Sequence, residues 1–256
     1  MPDLDWNRAM WGSAYAWTAL GEEWSHSWGG SEAQWFGTLY PRLHRFLPAR
    51  RILEIAPGYG RWSKYLIPNC DEFLGIDLAE KCVHGCREIF ASATHARFVT
   101  NDGQTLTAAP DGSFDFVFSF DSLVHADYDV MASYVPEVLR KLAPGGVAFL
   151  HHSNLLAFGG AIGGQHGRSM SVSAQVMADL IRHRGGAVLV QEVVNWGGDQ
   201  LIDCLSLFGR RDDYPAANPV QLQNRMFMAE STLIHHFQSP YSKLESARKQ
   251  ALAAAE

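Results

Sequence analysis

The segment LEIAPGYG, residues 53–60, is the natural starting point for interpreting the sequence. It begins with apolar residues typical of a buried strand and ends in two glycines, Gly58 and Gly60, which allow a sharp turn and close approach of a ligand. A helix-like stretch, RWSKYLIP, follows directly at residues 61–68. The order strand, glycine turn, helix predicts a ligand site at the carboxyl end of a strand, as in doubly wound sheets.

Strand-like and helix-like patterns alternate on both sides of this segment. The strand-like stretches are Arg51–Ile55, Glu72–Ile76, Ala96–Val99, Phe114–Phe120, Val147–His151, Ala187–Val194 and Leu201–Phe208. Their alternation with helices implies right-handed βαβ units and a parallel sheet that is covered on both faces. The short turn at residues 195–200 cannot join parallel neighbours, so the last strand should be antiparallel. We therefore predict an α/β fold with a doubly wound, mostly parallel sheet of seven strands.

The composition divides the chain into three parts. Residues 1–48 are predicted to form a Trp-rich N-terminal helical cap, residues 49–209 the ligand-binding domain, and residues 210–256 a C-terminal helical extension. The tryptophans of the cap either stack on a ligand as a lid or pack the first helices onto the sheet. The Gly-rich loop Phe158–Arg168 is either a gate over the site or a surface loop.

Composition and charge exclude several classes of protein. The chain has 256 residues, of which 47% are hydrophobic and 19% charged, as expected for a globular domain with a core. Its net charge of −6 argues against a nucleic-acid partner. We find neither a leader pattern nor a run of about 18 apolar residues, so we expect a cytoplasmic protein without a membrane span. The four cysteines are expected to be reduced thiols.

Acidic residues at the strand ends indicate the kind of ligand. Glu54 lies just before the turn, where its negative charge would repel a pyrophosphate but would suit a ligand that carries an ammonium and a sulfonium. The alternative is that Glu54 is a structural residue whose polar atoms are hydrogen-bonded at the strand end. Asp77 ends the second strand, where it can accept both ribose hydroxyls or cap a helix. Asp102 follows the third strand, where it can accept from an adenine amino group or form an Asx turn. Position 63 is Ser where a dinucleotide pattern needs a third glycine.

Taken together, these motifs resemble class I S-adenosylmethionine (SAM)-dependent methyltransferases. The resemblance rests on EIAPGYG (54–60), LGID (74–77), NDG (101–103), the fourth-strand block and LAPGG (142–146), and covers residues 50–155, or 50–209 with the reversed strand. Pro57 departs from the commoner glycine. The resemblance implies SAM as the cofactor and a binding set of Glu54, Gly58, Gly60, Asp77, Leu78, Asp102, Gly103, Ser119 and Phe120.

A second group of polar residues should lie on the acceptor side of the same edge. Methylation of a hydroxyl benefits from a positioned base or a metal. Adjacent strand residues point opposite ways, so only one of His151 and His152 should face the cofactor, and we favour His152 as the base. His125 is either a second base or a structural residue. Asp121 and Asp203 either bind Mg²⁺ or pair with arginines and backbone amides.

A narrower resemblance suggests the substrate. FDSLVHA (120–126), FLHHSN (149–154) and VVNWGGDQLIDCLSLF (193–208) are similar to bacterial enzymes that methylate polysaccharides and glycosides, including O-antigen and methylmannose types. It implies O-methylation of a sugar or oligosaccharide acceptor. The alternatives are N-methylation of an amino sugar or peptide amine, and a non-enzymatic SAM-binding protein. A nicotinamide oxidoreductase is disfavoured, since no Tyr-x-x-x-Lys pair lies near the fifth strand. Whether the chain is a monomer or a homodimer stays open.

Overall fold

The structure, a computed structural model, describes residues 2–162 and 166–244. Its centre is an eight-stranded sheet in the order β3-β2-β1-β4-β5-β7-β6-β8. The strands are β1 Ala49–Ile55, β2 Cys70–Asp77, β3 Ala96–Thr100, β4 Phe114–Ser119, β5 Leu142–Ser153, β6 Gly186–Val194, β7 Asp203–Arg210 and β8 Val220–Asn224. Strands β1 to β5 pair in parallel, and β7 is antiparallel to both neighbours. The predicted fold class, including the reversed strand, is therefore confirmed.

Helices cover both faces of this sheet. The α-helices are α1 Leu4–Ala9, α2 Ser31–Gln34, α3 Tyr40–Leu43, α4 Ser63–Leu66, α5 Glu80–Ile89, α6 Tyr128–Lys141, α7 Ala174–His183 and α8 Phe227–Leu233. Short 3₁₀ or π segments lie at Met10–Ala14, Glu22–Trp28, Trp35–Leu39, His44–Phe46, Ile67–Asn69, Leu123–His125, Leu155–Phe158 and Ile234–Gln238. In the part of the chain that the structure describes, no helix combines the length and apolarity that crossing a bilayer requires.

Two apolar layers hold the sheet between these helices. Successive residues of a strand face opposite sides, so Leu53 belongs to one layer and Ile52 to the other. The first layer is completed by α6 and α7, and the second by the N-terminal helices, α5 and α8. Trp28 and Trp35 are almost fully buried in the second layer, so part of the Trp-rich segment does pack the first helices onto the sheet.

The eighth strand departs from the predicted seven and from the predicted all-helical extension. Val220–Asn224 pairs in parallel with β6 at the edge of the sheet, and most of its side chains are exposed. The segment VQLQN is short and half polar, so its pattern does not distinguish an edge strand from a surface loop. Helix α8 and the segment Ile234–Gln238 follow it.

Candidate active site

A pocket lies at the carboxyl ends of the parallel strands, beneath the N-terminal segment. It encloses about 860 Å³, including its open mouth. Seven of the residues predicted from the sequence line it: Gly58, Asp77, Leu78, Gly103, Phe120, Asp121 and His125. Seven others do not line it: Glu54, Gly60, Asp102, Ser119, His151, His152 and Asp203. The strand order therefore gathers half of the predicted set into one cavity.

The glycine turn and the end of β2 form one wall of the pocket. Gly58 donates its N–H to Oδ2 of Asp77 over 2.9 Å, and Ala79 donates to Oδ1 over 2.8 Å. Burial raises the pKa of Asp77 to about 6, although these backbone donors oppose the shift. Asp77 thus accepts one N–H from the glycine turn and one from Ala79, the residue before α5, and it also borders the pocket.

At two positions the backbone that borders the pocket lies directly beneath side chains of the N-terminal segment. Gly58 has φ +57°, and a Cβ there would lie 2.9 Å from the Trp17 ring that packs over the turn. Gly103 has φ +83°, and a Cβ there would lie 2.6 Å from Leu4. Both positions therefore require glycine beneath the N-terminal segment.

Three of the predicted cofactor residues lie just behind the pocket wall. Glu54 is 1% exposed, and Ser63 Oγ donates to its Oε2 over 2.5 Å. Burial raises the pKa of Glu54 to about 8, so the carboxyl is mainly neutral at pH 7. Gly60 serves packing, since a Cβ there would lie 2.4 Å from the Phe90 ring. Ser119 is fully buried, and its Oγ has no hydrogen-bond partner among the described residues.

The structure places Asp102 in the turn that the sequence offered as an alternative. Its Oδ1 accepts the N–H groups of Gln104 and Thr105 over 2.9 Å and 2.7 Å, which is an Asx-type turn. The residue is exposed, and its adenine role stays a prediction. Its neighbour Gly103, by contrast, borders the pocket.

The structure does not support His152 as the base. β5 extends to Ser153, so His152 lies inside the sheet rather than beyond it, and both histidines are fully buried. The ring nitrogens of His152 lie 2.9 Å from the Ser153 carbonyl and 2.8 Å from Ser206 Oγ. His151 occupies the opposite face, where its Nδ1 accepts the Asp121 N–H over 3.1 Å and its Nε2 lies 3.2 Å from Asp203 Oδ2.

The buried position of His152 predicts a pH-dependent stability. Burial lowers its pKa from 6.5 to about 4. Between these values the unfolded chain binds a proton that the folded chain does not, so stability falls as pH falls. The loss from this group alone is about 3 kcal/mol by pH 4. We expect urea unfolding of His152→Gln to show a shallower decline from pH 7 to pH 4 than wild type; parallel curves would contradict this account.

His125 has the geometry of a base within the pocket. Its Nδ1 lies 2.8 Å from the Gly167 carbonyl oxygen, which can only accept, so the neutral ring carries its proton on Nδ1. The ring packs against both Trp6 and Trp11, with centroid distances of 6.2 Å and 4.9 Å. No hydrogen bond within the described residues occupies Nε2. Burial lowers the pKa of His125 below its ordinary 6.5.

The two predicted metal ligands are each paired with an arginine. Arg61 Nη2 donates to Asp121 Oδ2 over 2.8 Å, and Arg168 holds both oxygens of Asp203 at 2.7 Å and 2.8 Å. Burial opposes ionisation of Asp203, yet Arg168 and His151 lower its pKa to about 2. Across residues 2–162 and 166–244, no group of three His, Cys, Asp or Glu residues is arranged to hold a metal. These carboxylates therefore do not fit a Mg²⁺ site, and the alternative of arginine partners is what the structure shows.

Several pocket residues were not predicted individually from the sequence. Arg61 directly follows the glycine turn, and its guanidinium lies over Trp24 and Trp62 at 5.3 Å and 4.6 Å from the ring centroids. Trp11, Trp17 and Trp24 line the pocket, whereas Trp28 and Trp35 pack onto the sheet. Because Arg61 directly follows the glycine turn in the sequence, its place at the pocket could have been predicted. The predicted gate loop Phe158–Arg168 lies partly outside the described residues.

Residues 52–146 match a family described as "Methyltransferase domain". A SAM-dependent methyltransferase from Clostridium acetobutylicum is 14% identical with a TM-score of 0.54, over 72% of this chain and 91% of that chain. A SAM-dependent methyltransferase from Mesorhizobium loti is 19% identical with a TM-score of 0.53, and the match covers 69% of this chain and 97% of that chain. The N-methyltransferase NodS from Bradyrhizobium japonicum is 16% identical with a TM-score of 0.51, and the match covers 66% of this chain and 92% of that chain. No curated protein matches the chain.

Proposed function

We propose that this chain, whose residues 52–146 match a methyltransferase domain family, uses SAM to methylate a hydroxyl of a sugar or glycoside with His125 as the general base. The observation that carries the proposal is one pocket with two different sides. One side is the glycine cradle with Asp77, and the other is a histidine whose tautomer is fixed.

The cofactor side suits an adenosyl amino acid. Asp77 can accept ribose hydroxyls, and the glycine turn lets the backbone approach the ligand closely. When bound, SAM supplies an electrophilic methyl group. Glu54 stands behind the turn as a neutral, buried carboxyl that can ionise beside a cation. These residues hold and orient the cofactor, and positioning of this kind supplies much of the rate in group transfer.

On the acceptor side, the chain moves a proton. Nε2 of His125, which has no hydrogen-bond partner among the residues that the structure describes, accepts the hydroxyl proton, while Nδ1 stays hydrogen-bonded to the Gly167 carbonyl. Around it, Trp11 and Trp24 offer flat faces, and Asn7, Arg61 and Asp121 offer polar groups. Aromatic faces combined with hydrogen-bonding groups suit a sugar ring, which has an apolar face and a polar rim. This combination supports the sugar assignment over a purely apolar acceptor.

The low pKa of His125 predicts the acid limb of the pH profile. A base whose pKa lies below 6.5 stays neutral, and therefore active, as pH falls through 6.5. We expect kcat to be nearly constant from pH 8 to about pH 6.5 and to decline only below that value. Initial rates at saturating SAM and acceptor test this. A midpoint above pH 7 would mean that another group is the base.

A methyl-transfer screen tests the proposed activity. Radiolabelled methyl-SAM is incubated with the protein and with parallel sets of monosaccharides, oligosaccharides, glycosides and amino sugars. We expect label on hydroxyl-bearing sugars that survives acid and is absent with His125→Gln. Label confined to amines would favour N-methylation, and stoichiometric SAM binding without transfer to any acceptor would favour a non-enzymatic SAM-binding protein.

A further inference from the structure

We propose that Arg168 and Asp203 form a positioning pair that fixes the tautomer of His125 through the carbonyl group of Gly167. The inference rests on the proposed function, in which Nε2 of His125 takes the proton. It gives Asp203 a role different from the metal ligand that the sequence suggested. Neither member of the pair lines the pocket, so both act through the segment that contacts His125.

The tautomer matters because only one form of neutral histidine can act here as a base. With the proton on Nδ1, the lone pair lies on Nε2 and can accept a hydroxyl proton. The Gly167 carbonyl, 2.8 Å from Nδ1, selects this form because an oxygen acceptor needs a donor opposite it. If the carbonyl moved away, the proton could occupy either nitrogen, and the fraction of active base would fall.

The position of Gly167 is set from several directions. Its φ of +68° favours glycine, and a Cβ there would lie 2.8 Å from Cη2 of Trp6. Two residues later, the Ser169 N–H donates to the Val124 carbonyl over 2.8 Å. The Ser153 hydroxyl also donates to the Ser169 carbonyl over 2.6 Å. The segment therefore lies directly beside the residue that precedes His125.

Arg168 supplies the charged anchor of this segment. Its Nε and Nη2 donate to the two oxygens of Asp203 over 2.7 Å and 2.8 Å, in the two-pronged geometry specific to arginine. Arg168 is 3% exposed and Asp203 is fully buried, so water does not compete for the pair. Asp203 begins β7 and pairs in register with Ser153 of β5. The pair therefore fixes the segment to the centre of the sheet, one residue from the carbonyl that contacts His125.

Nuclear magnetic resonance of histidine nitrogens tests the proposal directly. Long-range ¹H–¹⁵N spectra of protein labelled with ¹⁵N-histidine distinguish protonated from unprotonated ring nitrogens, and His125→Gln assigns the signals of His125. In wild type we expect Nδ1 protonated and Nε2 unprotonated at pH 8. In Arg168→Lys, which keeps the charge but loses the second donor, we expect both nitrogens to move toward averaged values. Unchanged nitrogen signals in folded Arg168→Lys would overturn the proposal.

A matched control separates positioning from general destabilisation. Arg42 holds Glu192 with the same two-pronged geometry, both distances being 2.8 Å, and also donates to Glu230. Neither Arg42 nor Glu192 lines the pocket, and among the described residues no hydrogen bond links either one to the Gly167 segment. We expect Arg42→Lys to leave the His125 signals unchanged. If Arg168→Lys does not fold, the neutral double variant Arg168→Gln with Asp203→Asn replaces it. A change in the His125 signals of Arg42→Lys as large as that in Arg168→Lys would also overturn the proposal.

Kinetics provide the second readout. We expect Arg168→Lys to lower kcat about 10- to 100-fold, the size of effect that misplacing a reacting group produces. The Kd for S-adenosylhomocysteine should stay within about twofold, since the cofactor side of the pocket is untouched. A changed tautomer with unchanged kcat would overturn the link to catalysis. If His125→Gln retained full activity while Arg168→Lys still shifted the tautomer, the proposed base would be wrong and the positioning pair would stand.

Discussion

Replacing His125 with glutamine is expected to lower kcat by about 100- to 10,000-fold, which is the usual contribution of a general base. Glutamine can still donate a hydrogen bond to the Gly167 carbonyl, but it cannot take a proton at neutral pH. The Kd for S-adenosylhomocysteine should change by less than about twofold, because the effect is on proton transfer rather than on cofactor binding. Steady-state kinetics and calorimetry on the same preparation measure the two quantities.

His84→Gln is the control for this prediction. The side chain of His84 is 72% exposed on α5 and paired with Glu88, outside the pocket. Its replacement should leave kcat and cofactor affinity unchanged. If His125→Gln kept wild-type turnover, no other histidine of the described pocket wall could serve as the base. Hydroxyl methylation with a histidine as general base would then be wrong.

Replacing Asp77 with alanine is expected to abolish most cofactor affinity. A hydrogen bond to a charged group contributes about 1.5–3 kcal/mol, so losing two to the ribose should raise the Kd for S-adenosylhomocysteine at least about 100-fold. The variant also loses the Gly58 N–H contact that holds the glycine turn to β2. Calorimetric titration checks the affinity, and circular dichroism checks that the variant remains folded.

Asp102→Asn is the matched comparison, because the sequence predicted both aspartates as cofactor ligands. The structure directs the Asp102 carboxylate into its own turn, which asparagine also supports. Its affinity for S-adenosylhomocysteine should therefore stay within about threefold of wild type. A loss as large as that of Asp77→Ala would show that the carboxylate of Asp102 does reach the adenine.

The main architecture was predictable because its signals are local. The strand, glycine turn and helix at residues 53–68 are contiguous, and the turn at residues 195–200 is too short for anything but an antiparallel neighbour. β8 was not predictable, because VQLQN gains its strand conformation only by pairing with β6, which is a contact distant in sequence. Tertiary pairing of this kind overrides weak local preference.

The candidate site was predictable in its residue types but not in its side-chain directions. The choice between His151 and His152 depended on where β5 ends, and the strand continues to Ser153 through pairing with β7. Asp203 was placed at the correct edge, but its partner, Arg168, comes from a loop 35 residues away with no periodic pattern. His125 lies six residues after the end of β4, so its place near this edge of the sheet was predictable, whereas its contact with Gly167 was not.

Calorimetric titration of the wild-type chain with S-adenosylhomocysteine tests the central claim most directly. We expect one molecule bound per chain, with binding lost in Asp77→Ala and no heat from NAD⁺ or NADH. Binding of a dinucleotide at the glycine turn, or absence of any adenosyl ligand from a folded chain, would contradict the assignment of this pocket.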